Sequence, residues 1–352
     1  MKQIIYSILS AFLLTVSACS SEDIVPKEKE SNTDAEVQLA VAITKSDATR
    51  AEKNESFFKT SFTKEDEIRF VNTQYFSTPD FENSSIFSYN EKMSTPDKSI
   101  FTQSGEPTIT WNSFHLTSFA FTFEAAYYPG NKPFTEVPFN QSTQENFQSA
   151  DLLLAHHRTL LDDRYKEIHL KFRHVFCMVK LIIDVPVGAG GLPNDALQWA
   201  KLKNIKRGYE IDYSHTIAND GLRTVKGKAP EEANSPTDVQ MWEQSKPISN
   251  KVQTYIYYAI IPYQEEITDD FVHFNVKVGN IEKTYRFKPE DKGQINLERS
   301  KITVLKLKLD KDGGIPVLLS AEIKDWDTAS ADMTLDEEDS TEADNSEEGG
   351  NV

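Results

Sequence analysis

Cysteine is scarce: the 352 residues hold two, Cys19 and Cys177. Two cysteines build no metal ribbon or disulfide scaffold, and if Cys19 is consumed in processing no intramolecular disulfide is available. Cys177 lies in an apolar stretch and reads as a small core residue. Basic charge is also short. Lys and Arg number 38 against 55 Asp and Glu, a net charge of −17. So acidic a chain repels phosphate backbones, which argues against nucleic acid as a partner. Catalytic signatures are missing too: there is no GxSxG, HExxH, Walker-type phosphate loop or paired CxxC. No pattern of helical period exceeds two turns in the first half. An enzyme is therefore not expected, nor a cofactor or a metal.

The one long apolar run other than strands is at the start. Lys2 precedes Ile4–Val16, which is too short to span a bilayer comfortably and reads as a cleaved export leader over residues 1–18. Val16-Ser17-Ala18-Cys19 resembles the lipobox of bacterial lipoproteins, in which the cysteine becomes the acylated first residue. Each buried acyl methylene adds roughly 0.8 kcal/mol of membrane affinity. Residues 19–35 are polar and read as a tether. Glu22 and Asp23 resemble the signal that sends such proteins to the outer face of the outer membrane. At the other end, residues 331–352 carry nine acidic side chains and no basic one, and should be disordered.

Between the ends, short runs with period two follow one another. Val37, Leu39, Val41 and Ile43 give a clean first strand. Strand candidates follow at Glu67–Phe76, Ile86–Tyr89 and His115–Tyr128, with a hairpin of Ile100–Thr102 and Thr108–Trp111. Lys132–Gln148 reads as a loop. The strongest stretch is Lys166–Val185, taken as one central strand. Its apolar phase changes after His174, which calls for a bulge or sharp bend. Phe172 and Leu181 should be fully buried there. Later candidates are Leu202–Ile205, Ile217–Val225, Val252–Ile261 (ending at Pro262), a hairpin at Phe271–Phe287, Ile302–Leu309 and Val317–Trp326. The expectation is all-β, with a first β-sandwich over 36–164 and a second over 165–330.

Candidates for chemistry have bland competitors. His156-His157 point to opposite faces if they lie in a strand, so shared metal ligation is disfavoured. Asp310–Gly313 lacks the later acidic ligands of a calcium loop. Tyr127, Tyr128, Tyr255, Tyr257 and Tyr258 could form a sugar-stacking platform, though an aromatic core set is favoured.

Several segments in order resemble the fimbrillin family of Bacteroides-type bacteria, lipoproteins that build or decorate surface pili. They are the lipobox, Thr49-Arg50-Ala51, Trp111, FEAAYYP at Phe123–Pro129 and DLLLA at Asp151–Ala155. LKFRHVFCMVKL at Leu170–Leu181, YYAIIP at Tyr257–Pro262 and IKDW at Ile323–Trp326 complete the set. The resemblance implies two transthyretin-like (Greek-key) sandwiches in tandem and a precursor lipidated at Cys19. It also implies assembly with other fimbrial subunits by donor-strand exchange. Cleavage between Arg50 and Ala51 would release the strand of Val37, Leu39, Val41 and Ile43, with Val317–Ile323 as candidate donor. The acidic tail departs from the family pattern. The alternative is a non-polymerising surface lipoprotein that binds a host or bacterial glycan or protein.

Overall fold

The computed structural model describes residues 36–43, 58–73, 78–96, 98–105, 108–116, 119–213, 223–229, 237–265, 267, 270–287, 295, 297–309 and 317–325. Cys19, Arg50, Ala51, Asp310–Gly313 and the acidic tail lie outside them. The described chain is all-β apart from one short α-helix and three 3-10 turns.

The first seven strands are β1 (Gln38–Ile43), β2 (Glu67–Thr73), β3 (Ser85–Tyr89), β4 (Ser99–Gln103), β5 (Ala120–Tyr127), β6 (Leu153–Leu160) and β7 (Ile168–His174). They close into a barrel in the order β1-β4-β3-β2-β5-β6-β7, where a sandwich was expected. Alternating apolar residues of each strand fill it. Leu39, Ile68, Phe70, Phe87, Phe101, Phe123 and Phe172 are buried together. The rings interlock, as in the stacked pair Phe70–Phe123 at 5.1 Å and the edge contact Phe62–Phe101 at 5.3 Å. Such pairs add to the stabilisation from area alone.

The second half begins with β8 (Cys177–Pro186), β9 (Leu197–Leu202) and the hairpin of β10 (Gly208–Asp212) and β11 (Thr224–Lys228). Then come β12 (Val239–Gln240), β13 (Trp242–Ser245), β14 (Ile248–Ser249) and β15 (Val252–Ile261). The chain closes with β16 (Val272–Val278), β17 (Ile281–Phe287), β18 (Lys301–Lys308) and β19 (Val317–Asp325). One sheet runs β13-β15-β8-β18-β19, with β14 also on β15; the other runs β12-β9-β16-β17. Cys177, Val179, Leu181, Ile183 and Val185 of β8 meet Ala200, Leu202, Val272 and Phe274 of the second sheet in a common core. This half is a two-layer sandwich.

The expected central strand is two strands. β7 lies between β6 and β1 in the barrel, while β8 lies between β15 and β18 in the sandwich. The phase change after His174 is not a bulge within one ladder. It marks the passage of the chain through Val175-Phe176 from one sheet to another. A division after Arg164 would also take β7 out of the barrel it closes; the change of sheet falls about ten residues later. Phe172 and Leu181 are both 0% exposed, each in a different core. The second apolar face of β8 is explained by a third cluster that joins the halves. Met178 and Tyr258 pack there with Phe58, Phe147, Leu152, Leu154, Val175 and Phe176.

Other expectations shift locally. Thr108–Trp111 is not the partner of β4, which pairs with β3 and β1 instead. Thr110 bridges to Glu36, and Trp111–Ser113 turns as a 3-10 helix. Leu116 lies outside β5, which begins at Ala120. The loop Lys132–Gln148 contains a one-turn helix, α1 (Gln144–Gln148), capped by the Thr143 side chain, which accepts from the Asn146 N–H.

Candidate functional site

β1 is the site residue set that the structure describes. Its alternation places Val37, Leu39, Val41 and Ile43 on one face, all buried and all in the barrel core. Burying one such side chain stabilises by about 1.5–3 kcal/mol, an upper figure because unfolded chains already hide some surface. The backbone is held on both sides. β1 runs antiparallel to β4, with Leu39 opposite Phe101 and Val41 opposite Ser99. It runs parallel to β7, with Leu39 beside Ile168, Val41 beside Leu170 and Ile43 beside Phe172. β1 is therefore the closing strand of the barrel and not an edge. Taking it out would leave a groove between β4 and β7 with unpaired N–H and C=O groups along both walls.

Phe58 is an anchor at the same end of the barrel as Ile43: it meets His174 edge-on at 5.8 Å, and Ile43 pairs with Phe172. Phe58 and Phe62 are buried, in the shared cluster and in the barrel core respectively. Lys59 donates to Asp66 at 2.5 Å, and the Thr63 N–H donates to the same carboxylate oxygen at 2.5 Å. The Lys59 ammonium also lies 5.1 Å from the centre of the Tyr127 ring. Burial first, and the nearby Asp66 carboxylate second, push the Tyr127 hydroxyl pKa well up. β1 and this anchor thus bracket residues 44–57, the segment containing Arg50.

The other candidates separate. Among the described residues, the strand proposed as donor, β19, pairs with β18 alone, at the edge of its sheet. Leu319 is 50% exposed and Ile323 37%. The five tyrosines are all buried, so they form no open platform. His156 and His157 diverge as a strand requires. His156 pairs through Nδ1 with Glu124 at 2.7 Å, and Arg223 donates to the same carboxylate oxygen. Burial, then the charges of His169 and His156, lower the His157 pKa to about 4. Cys177 is fully buried, and burial pushes its thiol pKa far up, which makes it inert as a nucleophile. Among the described residues no group of three or more His, Cys, Asp or Glu could hold a metal ion.

Sequence patterning located the inward residues of β1 but not the walls of its groove. Phe101, Ile168 and Phe172 come from far along the chain, and a parallel pairing of β1 with β7 leaves no local signature.

No curated protein matches this sequence. Among solved structures, a candidate cell adhesion protein from Bacteroides ovatus is 16% identical, with 83% of this chain and 98% of that one covered at a TM-score of 0.49. One from Bacteroides uniformis is 14% identical, with 84% and 99% covered at 0.48. The fimbrial anchor protein Mfa2 of Porphyromonas gingivalis is 12% identical, with 83% and 98% covered at 0.37. All three are too distant for function to be carried across. The family model described as fimbrillin-like matches residues 49–326, most of the chain, and the protein belongs to the fimbrillin-like family.

Proposed function

We propose that this protein is a surface fimbrial subunit, made as a precursor acylated at Cys19 and held at the outer membrane. In this reading β1 is a provisional strand. Cleavage between Arg50 and Ala51 severs it from the fold, and a strand from another subunit takes its place. The observation that carries the proposal is the position of β1. It fills a seam with four apolar side chains and two ladders, and Arg50 stands in the sequence between it and the buried Phe58. Open N–H and C=O groups and a bared apolar groove are both costly, so the vacated seam should accept a strand of like alternation. β19 is the candidate donor in this chain, because it has one ladder to give up and little apolar surface buried.

The test is Arg50→Ala. Wild-type protein treated with an arginine-specific protease should form ladders on non-denaturing gels, and the variant should stay a monomeric, lipid-anchored precursor. Equal ladders from both would refute the maturation site. A cut wild-type protein that remains monomeric at high concentration would favour the non-polymerising binding lipoprotein instead. Mass spectrometry of the native N-terminus checks the acyl group on Cys19.

A further inference from the structure

One end of the barrel is built differently from the other. β1, β5 and β7 run in the same direction, since β1 and β7 are parallel and β6 is antiparallel to both β5 and β7. Their starts therefore share one end, away from the passage into the sandwich at Val175-Phe176. Trp111 caps that end from inside, in edge contact with Phe121 at 5.6 Å and Tyr165 at 6.0 Å. Outside the cap, apolar side chains are left in the open. Phe119 is 79% exposed, Leu160 55% and Leu116 46%. Phe119 and Leu160 adjoin: the Phe119 carbonyl accepts from the Leu161 N–H at 3.0 Å, and Ala120 pairs with Leu160. Phe119 and Tyr165 also hold φ of 65° and 66°. That region is strained for aromatic residues, and such strain persists where surrounding structure enforces it.

The same end is where the chain enters from its N-terminus. Glu36 bridges to Thr110 directly before β1, beside the Trp111 cap. From Cys19 to residue 35 there are seventeen residues, with a reach of at most about 60 Å. An anchor at Cys19 keeps this end close to the lipid, so a weak apolar contact becomes intramolecular and is favoured by effective concentration. The net charge of −17 disfavours attraction to anionic headgroups, which leaves apolar insertion as the mode of contact.

We propose that the exposed side chains of Phe119 and Leu160, with Leu116 three residues earlier in the chain, rest in the interfacial layer of the membrane while the precursor is tethered. The contact stands the barrel with its sandwich half pointing away from the surface. It rests on the anchored-precursor reading. On that reading, loss of β1 with its tether removes the anchor that keeps the patch at the lipid.

The experiment replaces Cys19 with a hexahistidine in the mature chain and tethers it to phosphatidylcholine vesicles carrying nickel-chelating lipid. This tether works whether or not Cys19 is acylated in cells, so orientation is tested apart from acylation. An environment-sensitive dye goes on Asp162→Cys, at the patch, or on Ile281→Cys, in the sandwich half. Cys177 is buried and will not compete for label. The dye at 162 should shift to the blue and be quenched by lipid-borne quencher, whereas the dye at 281 should do neither. Adding Phe119→Ser and Leu160→Ser should abolish the shift at 162 with the thermal melt unchanged. Equal, water-like emission at both positions would overturn the proposal. So would a blue shift at 162 that appears without vesicles and grows with protein concentration, which would assign the patch to a second copy of the chain.

Discussion

β1 and β19 are apolar strands at the two ends of the described chain, and they are held in opposite ways. β1 has a ladder on each side and its inward side chains are buried. β19 has one ladder, its pairing slips between Lys306 and Leu307, and Leu319 and Ile323 lie open. The difference separates the local pattern of a strand from its attachment. β1 is tightly packed but joins the rest of the fold through the single segment that contains Arg50. β19 follows β18 in the sequence, pairs with it, and leaves Leu319 and Ile323 open. A strand-exchange assembly needs both kinds, one groove worth filling and one strand cheap to detach.

The comparison breaks most readily with charge. Leu39→Asp places a carboxylate without a partner in the barrel core and should cost at least about 4 kcal/mol. Leu319→Asp on β19 should stay within about 0.5 kcal/mol. Denaturant midpoints of the two variants decide it, and equal losses would mean that β1 is not the closing strand. Truncation gives the next largest contrast. Leu39→Ala and Leu181→Ala should each cost about 2–5 kcal/mol, and Ile323→Ala under about 1 kcal/mol, because it starts partly exposed.

Acid sharpens the contrast from the barrel side. His157 on β6 is held neutral by burial, with its pKa lowered from 6.5 to about 4. Between those values the unfolded chain binds the proton and the folded one does not, so stability falls as pH is lowered through this window. Full burial would make the loss about 3 kcal/mol, and because His157 is partly exposed and screened by solvent the loss falls well below that. His157→Gln should flatten the decline between pH 6.5 and 4 relative to wild type; unchanged slopes would show that His157 is not the group responsible. The smallest effect is expected at Cys177. It should resist thiol reagents in the folded protein and react fully only in denaturant.

Legibility followed the range of the interactions. The inward faces of β1 and β8, and the positions of β15 and β18, were visible because alternation is local. The hairpin β16–β17 was visible for the same reason, with its turn at Gly279-Asn280 and the first pair Val278–Ile281. The phase change after His174 was visible too, but its meaning was not. A bulge and a change of sheet write the same pattern, and only the partners of β7 and β8 tell them apart. Barrel closure rests on a parallel pairing between residues 39–43 and 168–172, which no short window contains. Helix α1 is one turn long, too brief for a period to develop, though Thr143 three residues before Asn146 was its available cue. Within the site, the four β1 residues were legible, while Phe101, Ile168 and Phe172 as groove walls were not.

The central claim is that β1 fills a seam another strand can occupy. The direct measurement is binding of a labelled peptide spanning Val317–Asp325 to the protein before and after cleavage at Arg50, with release of the fragment ending at Arg50, which carries β1 and the tether, followed by mass spectrometry. The account predicts no binding to the intact chain, and saturable binding to the cut chain in step with loss of the fragment. A cut chain that sheds the fragment, stays folded and still refuses every strand of like alternation would contradict it.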